Sequence, residues 1–265
     1  CAHTMGQGDR HKSDQVAVEA MRSCMDTVPI DGTIVIGEGE RDDAPMLFIG
    51  EKVGLGAKDG AGGQQLPKVD IAVDPLEGTT ITAKAGSNAL AVLAIAGKGD
   101  MLNAPDIYME KIAVGPGYPD GVVSLLKTPA ENVAAVAAAK GVSPAQLMVS
   151  VLDRPRHAEL IGKLRALGCG IQLLPDGDIA GVIATSDPDT TIDLYMGSGG
   201  APEGVLAAAA LRCVGGQFEG RLMFRGDAER RRAHDCGITD FERMIADGRW
   251  PDGWNHGHGG HGHAG

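Results

Sequence analysis

A chain of 265 residues with 43% apolar and 22% charged residues has room for one large core or two ordinary domains of a globular protein. With 3% aromatic residues and a net charge of −11, the sequence offers no base-stacking platform and no basic surface, which excludes nucleic acid and anionic membrane as partners. No apolar run is long enough to suggest a membrane span, and no signal-peptide pattern is visible. Five scattered cysteines lack any CxxC spacing. Four fall in or beside apolar segments, which predicts buried, reduced thiols and a cytoplasmic location.

In chain order, Gly6-Gln7-Gly8-Asp9 is a glycine-rich turn ending in an acid. Helical spacing from Asp14 to Val28 puts Ala17, Ala20, Met21, Cys24 and Val28 on one predicted face. Thr33 to Ile36 predicts a short strand, followed by four acids within Gly37-Glu38-Gly39-Glu40-Arg41-Asp42-Asp43. A solvated loop is the ordinary reading of such a run, yet glycines on both sides of Glu38 suggest close backbone approach. Residues 56–68 predict an exposed connection. Val69 to Val73 predicts a buried strand that breaks at Asp74-Pro75, because proline removes a ladder donor and turns the chain. Glu77, Gly78, Thr79 and Thr80 follow. Two acids and a hydroxyl at a strand end suit a hard divalent cation and a nearby water, although an isolated acidic turn is commonplace. Asn88 to Ala96 and Ile107 to Val114 predict two more strands of a mixed sheet.

The second half is more regular. Thr128-Pro129 predicts an N-cap with proline at N1, opening an alanine-rich helix that stops at Gly141, and Ser143-Pro144 repeats the signal. Three β-loop-α units follow. Met148–Leu152 leads through Asp153-Arg154-Pro155-Arg156 to a helix from His157 to Leu167. Gly170–Leu174 leads through Pro175-Asp176-Gly177-Asp178 to a helix through Ile183. Thr191–Met196 leads through Gly197-Ser198-Gly199-Gly200-Ala201-Pro202-Glu203 to a helix through Val214. Such units predict a parallel sheet whose connecting loops gather at one edge. Arginines there suit phosphate, paired aspartates suit sugar hydroxyls, and the glycine run suggests an anion nest. The run is not G-x-G-x-x-G, and Glu203 would repel a pyrophosphate, so a dinucleotide site is not expected.

Taken together, Gly8-Asp9, Ile36-Gly37-Glu38-Gly39-Glu40, Ala44-Pro45-Met46-Leu47, Asp74-Pro75-Leu76-Glu77-Gly78-Thr79, Tyr108-Met109-Glu110-Lys111, Arg154-Pro155-Arg156-His157, Asp176-Gly177-Asp178 and Gly199-Gly200-Ala201-Pro202-Glu203-Gly204 resemble the class II fructose-1,6-bisphosphatases. These belong to the lithium-sensitive, metal-dependent sugar phosphatase superfamily. The resemblance covers most of the chain. It implies an α/β (α+β) fold, a layered αβαβα sandwich with a mixed sheet in the first half and parallel β-loop-α units in the second. It places a metal-binding part at residues 1–127, a substrate-binding part at 128–245 and a disordered Gly/His-rich tail at 246–265.

The same resemblance implies Mn²⁺ or Mg²⁺, two or three per site, on Asp9, Glu38, Asp74, Glu77 and Glu203. It implies substrate contacts at Glu77, Gly78, Thr79, Tyr108, Arg154, Pro155, Arg156, Asp176, Gly177, Asp178 and Gly200. Thr79, hydrogen-bonded to a carboxylate, would orient the attacking water, and Asp42 would assist as an acid or base; a cap is the plainer role for such a threonine. The implied reaction is metal-dependent hydrolysis of the 1-phosphate of fructose 1,6-bisphosphate, with sedoheptulose 1,7-bisphosphate as a further substrate. The implied partners are a small sugar bisphosphate and copies of the chain, in a dimer or tetramer. An inositol monophosphatase-like enzyme and an inactive sugar-phosphate-binding fragment are the alternatives. The family pattern has a helix before Gly8-Asp9 and further strands after about Ile245, which implies a chain truncated at both ends with an exposed edge in the second sheet.

Overall fold

The computed structural model describes residues 1–39, 46–57, 65–241 and 244–246. Two sheets organise it. The first has four strands in the order β2-β1-β3-β4, formed by β1 (Asp31–Ile36), β2 (Lys52–Val53), β3 (Lys68–Glu77) and β4 (Leu90–Gly97). Here β1 runs parallel to β3, while β2 and β4 are antiparallel to their neighbours. The second has six strands in the order β10-β9-β5-β8-β6-β7, namely β5 (Tyr108–Val114), β6 (Met148–Leu152), β7 (Gly170–Leu174), β8 (Leu194–Gly200), β9 (Gln217–Met223) and β10 (Met244–Ala246).

Seven helices complete the fold among the described residues: α1 (Arg10–Met25), α2 (Thr79–Ala83), α3 (Pro129–Lys140), α4 (Ala158–Ala166), α5 (Asp178–Ile183), α6 (Ala201–Val214) and α7 (Asp227–Asp235). The layering follows from their faces. α6 touches β3 and β4 on one side and β5, β8 and β9 on the other, so α5 and α6 lie between the sheets. The core there joins Ile36 and Ala72 of the first sheet to Met109, Tyr195 and Phe218 of the second, through Ile179, Val205 and Leu206. α1 covers the outer face of the first sheet, where Val18 and Met25 pack with Ile34, Ile71 and Val73. α3 and α4 cover the outer face of the second, where Val133, Val136 and Leu164 pack with Ile112, Val149 and Leu194. The order is helix, sheet, helix, sheet, helix, the αβαβα arrangement expected.

Local signals set several elements where the sequence puts them. Thr128 accepts from the Glu131 N–H and the Glu131 carboxylate accepts from the Thr128 N–H, a capping box that opens α3, and Gly141 closes it at φ 71°. β6 and β7 match their predicted spans and pair in parallel, as do β6 and β8.

Other predictions are corrected. β3 does not stop at Asp74-Pro75 but continues to Glu77, with Pro75 and Leu76 in an irregularity of the β3–β4 ladder. A proline is tolerated there because no ladder donor is required. The glycine run is not a nest: Gly197 to Gly200 extend β8, paired antiparallel with Lys111 to Tyr108. β5 therefore belongs to the second sheet, which is mixed rather than parallel throughout. α1 begins at Arg10, capped by Asp9, and buries Ser13, Ala17, Val18 and Met25, whereas Ala20, Cys24 and Val28 face outward. Of the five cysteines only Cys169 is buried, against the expectation of buried thiols. The tail beyond Ala246 lies outside the described residues.

Candidate active site

The site lies where β3, β6 and β8 end and α2, α5 and α6 begin, between the two sheets. At the end of β3, Gly78 takes φ 85°, which turns the chain sharply enough to start α2 at Thr79. This puts Asp74, Glu77, Gly78 and Thr79 on the lining of a cavity of about 260 Å³. Tyr108 from the start of β5, Arg154 and Arg156 after β6, Asp176, Gly177 and Asp178 after β7, and Gly199, Gly200 and Glu203 at the β8–α6 junction complete it. Nearly all of the expected metal and substrate residues thus converge from distant parts of the chain.

Glycines let β8 pass close to the acids. A Cβ on Gly199 would stand 2.1 Å from Asp178 Oδ2, and one on Gly200 would stand 1.9 Å from Glu203 Oε2. A second cavity, about 300 Å³, shares Asp74 and Glu203 with the first and adds Glu38 and Asp106. Glu38 sits past the end of β1, and the glycine before it passes so close to Leu47 that a Cβ there would meet the Leu47 carbonyl at 2.0 Å. The close approach suggested by the flanking glycines is therefore real on that side.

The acids are electrostatically frustrated. Burial pushes Asp74 up to about 7, and Glu203 and Glu38 push in the same direction. Burial and Asp14 push Glu38 up to about 7. Glu77 is raised by burial and by Asp178, and Glu203 is raised chiefly by burial. Glu77 Oε1 accepts from the Ile179 N–H at 2.8 Å, but Glu77 Oε2 and Glu203 Oε2 are buried with no hydrogen-bond partner among the described residues. Buried, mutually repelling carboxylate oxygens with no protein donor fit a hard divalent cation. Asp74 and Glu77 come from β3, Glu203 from α6 and Glu38 from the turn after β1, and among the described residues no three His, Cys, Asp or Glu side chains form a ready-made cage.

The cationic side is partly committed. Arg154 donates to Pro175 O at 2.5 Å and Asp176 Oδ1 at 3.1 Å. Arg156 donates through Nη2 to Ser198 O at 2.7 Å, and its guanidinium lies 4.9 Å from the Tyr108 ring centroid. His157 is buried beneath them. The Ser198 N–H donates to its Nε2 at 2.8 Å, so Nδ1 carries the proton and donates to Leu152 O at 2.8 Å. Burial, with the neighbouring arginines, keeps this imidazole neutral by lowering its pKa.

Some expected residues lie elsewhere. Asp9 caps α1 through the Lys12 N–H and lines neither cavity, although the Gly8 N–H ties its turn to Ala83 O in α2. Pro155 is not on the lining. Asp42 lies outside the described residues. Thr79 lines the first cavity, and Gly78 rather than Thr79 is the N-cap of α2; among the described residues no carboxylate accepts from the Thr79 hydroxyl. Two acids outside the predicted set also act on the site: Asp14, whose charge acts on Glu38 and Asp74, and Asp106, whose charge acts on Glu203. Lys111 belongs to the Tyr108-Met109-Glu110-Lys111 motif but has no role among the expected site residues. For Asp14 a signal existed: it lies on the face of α1 that carries Ser13, Ala17 and Val18.

Comparison with known proteins now decides the family. Residues 1–248 match the family described as bacterial fructose-1,6-bisphosphatase, glpX-encoded. The chain belongs to this family. It is 50% identical to fructose-1,6-bisphosphatase 1 class 2 of Escherichia coli K12 over 225 residues, which are 85% of this chain and 64% of that protein. The same figures hold for the class 2 enzyme of Shigella flexneri. Against the D-fructose 1,6-bisphosphatase class 2/sedoheptulose 1,7-bisphosphatase of Crocosphaera subtropica, identity is 41% over 268 residues, 95% of this chain and 77% of that protein. The chain thus spans less than two thirds of the length of the first two relatives. Among the described residues no helix is long and apolar enough to cross a membrane.

Proposed function

We propose that this member of the bisphosphatase family hydrolyses the 1-phosphate of fructose 1,6-bisphosphate, giving fructose 6-phosphate and phosphate. The observation that carries this reading is one cavity lined both by the buried carboxylates Asp74, Glu77 and Glu203 and by Arg154, Arg156 and Tyr108. The first group suits cations and the second suits a distal phosphate, and the family match supports fructose bisphosphate as the sugar.

Asp74, Glu77 and Glu203 would hold Mn²⁺ or Mg²⁺, two or three per site, with Glu38 serving from the adjoining cavity. Asp9 joins them in the resemblance, supported by the tie between its turn and α2. Such cations, when bound, supply positive charge to the phosphoryl and leaving oxygens and acidify water. The chain's own groups do the rest. Thr79, at the first position of α2, orients the attacking water toward phosphorus; a P–O bond forms as the bond to the C1 oxygen breaks, and that oxygen takes a proton. Asp42 is the candidate acid or base on resemblance alone. Asp176 and Asp178 accept from sugar hydroxyls, while Arg156 and Tyr108 hold the 6-phosphate end. The relative that also carries a sedoheptulose 1,7-bisphosphatase name makes that longer sugar a second substrate to test. A homo-oligomer is supported by the exposed Leu93 and Ile95 on edge strand β4, and a cytoplasmic setting by the family's substrate.

The test is phosphate release from fructose 1,6-bisphosphate with Mn²⁺ or Mg²⁺, with and without chelator. Cation-dependent release supports the reading; a folded chain with no release overturns it in favour of a sugar-phosphate-binding fragment.

A further inference from the structure

Lys111 is a buried ammonium, 1% exposed, in the middle of β5. It lies on the strand face of Met109 and Ala113, which turns toward the helices between the sheets. Its Nζ donates to Asp178 Oδ2 at 2.5 Å, and Asp178 is itself buried. Two glycines make the space. A Cβ on Gly199 would lie 3.2 Å from Nζ, and one on Gly204 would lie 3.1 Å from Cε. Lys111 lines neither cavity, yet its charge also acts on Glu203.

Asp178 and Glu77 line the same cavity and repel each other. As oxygen donors to a hard cation they are chemically equivalent. What separates them is the ammonium on Asp178. The geometry points to Lys111 as a positioning residue that sorts these acids. By pairing with Asp178 it withholds that carboxylate from divalent cations and keeps it for the hydroxyls of a polyol phosphate, leaving Asp74, Glu77 and Glu203 to the cations. This rests on the phosphatase reading of the cavity and adds a division of labour within it.

Two binding measurements on the full chain test the sorting: Mn²⁺ by electron paramagnetic resonance, and fructose 6-phosphate by calorimetry at saturating Mg²⁺. Lys111→Met frees Asp178, so Mn²⁺ binds several-fold tighter or with an added equivalent. Fructose 6-phosphate binds about tenfold weaker, since its acceptor has lost a charged hydrogen bond. Lys111→Arg keeps both values near those of the unaltered chain, and the double variant Lys111→Met/Asp178→Asn loses the Mn²⁺ gain. A purely structural lysine would weaken both ligands together, and that result overturns the proposal. Should Lys111→Met not fold, Asp178→Asn alone decides. Weaker fructose 6-phosphate with unchanged Mn²⁺ supports the sorting; weaker Mn²⁺ makes Asp178 a cation ligand and overturns it. An unaltered chain that binds Mn²⁺ but no fructose 6-phosphate overturns it too. Binding of both ligands with no phosphate release removes the proposed activity and leaves the sorting intact.

Discussion

Glu77 Oε1 accepts from the Ile179 N–H at 2.8 Å, a bond that ties the end of β3 to the first turn of α5 across 102 residues of sequence. The other oxygen of the same carboxylate is buried without a hydrogen-bond partner among the described residues. Half of the side chain therefore holds the two sheets' connecting layers in register, and half is left for a ligand. Glu77→Gln separates these roles, because the amide oxygen still accepts from Ile179 while the charge is gone. We expect the variant to fold with cation-free stability equal to or above that of the unaltered chain, and to lose most of the cation-induced rise in melting temperature. For a ligand at a hundred times its Kd that rise is worth about 2.7 kcal/mol, or about 5–10 °C. An undiminished rise would remove Glu77 from the cation set.

The raised acids also set a pH dependence for the cation-free chain. Asp74 titrates near 7 when folded, against an ordinary value of 3.8. Between those values the folded chain holds a proton that the unfolded chain releases, so stability falls as pH rises from about 4 to 7. Thermal unfolding in chelator should show this fall, and added Mn²⁺ should oppose it most above pH 7. A cation-free stability that climbs from pH 5 to 8 would contradict the electrostatics of the site.

His157 runs the other way. Its folded pKa is lowered by burial, so its contribution is complete above about 6.5 and is lost as pH falls through the folded value. Replacing it by phenylalanine removes the acceptor of the buried Ser198 N–H, while the Leu152 carbonyl keeps the Arg154 N–H, and the loss costs about 2 kcal/mol at pH 7.5. The difference in denaturant stability between the two chains should shrink toward pH 5. A difference independent of pH would mean that the imidazole is not held neutral.

Thr79 lines the cavity at the first position of α2, where Gly78 is the N-cap. Thr79→Val keeps the branched shape at the start of α2. If the hydroxyl orients the attacking water, kcat falls about a hundredfold with little change in KM or in cation binding. Unchanged turnover excludes Thr79 from the chemistry.

Arg156 already spends Nε and Nη2 on Ser198, which fixes its plane over Tyr108. Arg156→Ala should raise KM about tenfold or more and lower kcat less, as expected for a contact to the distal phosphate made equally in ground and transition states. Lysine should not restore it, since a point charge cannot make the fork. A loss confined to kcat would place Arg156 at the reacting phosphate instead.

The parts of the fold legible in the sequence are those fixed by local chemistry. The Thr128 capping box, the Gly141 stop and the β6 and β7 spans all follow from neighbouring residues. What the sequence hid depends on pairing at a distance. Gly197 to Gly200 look like a loop, yet β5 makes them a strand, and Pro75 looks like a stop, yet β4 carries β3 past it. The site was legible as motifs because its members sit at predicted strand ends. Lys111 and Asp14 were not, since their importance comes from what folds against them: Asp178 for the first, Glu38 and Asp74 for the second.

The central claim is that one cavity binds cations at its acids and cleaves only the phosphate held there. Phosphorus NMR of fructose 1,6-bisphosphate incubated with the chain follows both phosphates at once. The account predicts loss of the 1-phosphate resonance, matched by free phosphate, with the 6-phosphate retained, in Mn²⁺ or Mg²⁺ and not in chelator. Loss of both phosphates, or loss of the 1-phosphate unaffected by chelator, would contradict it.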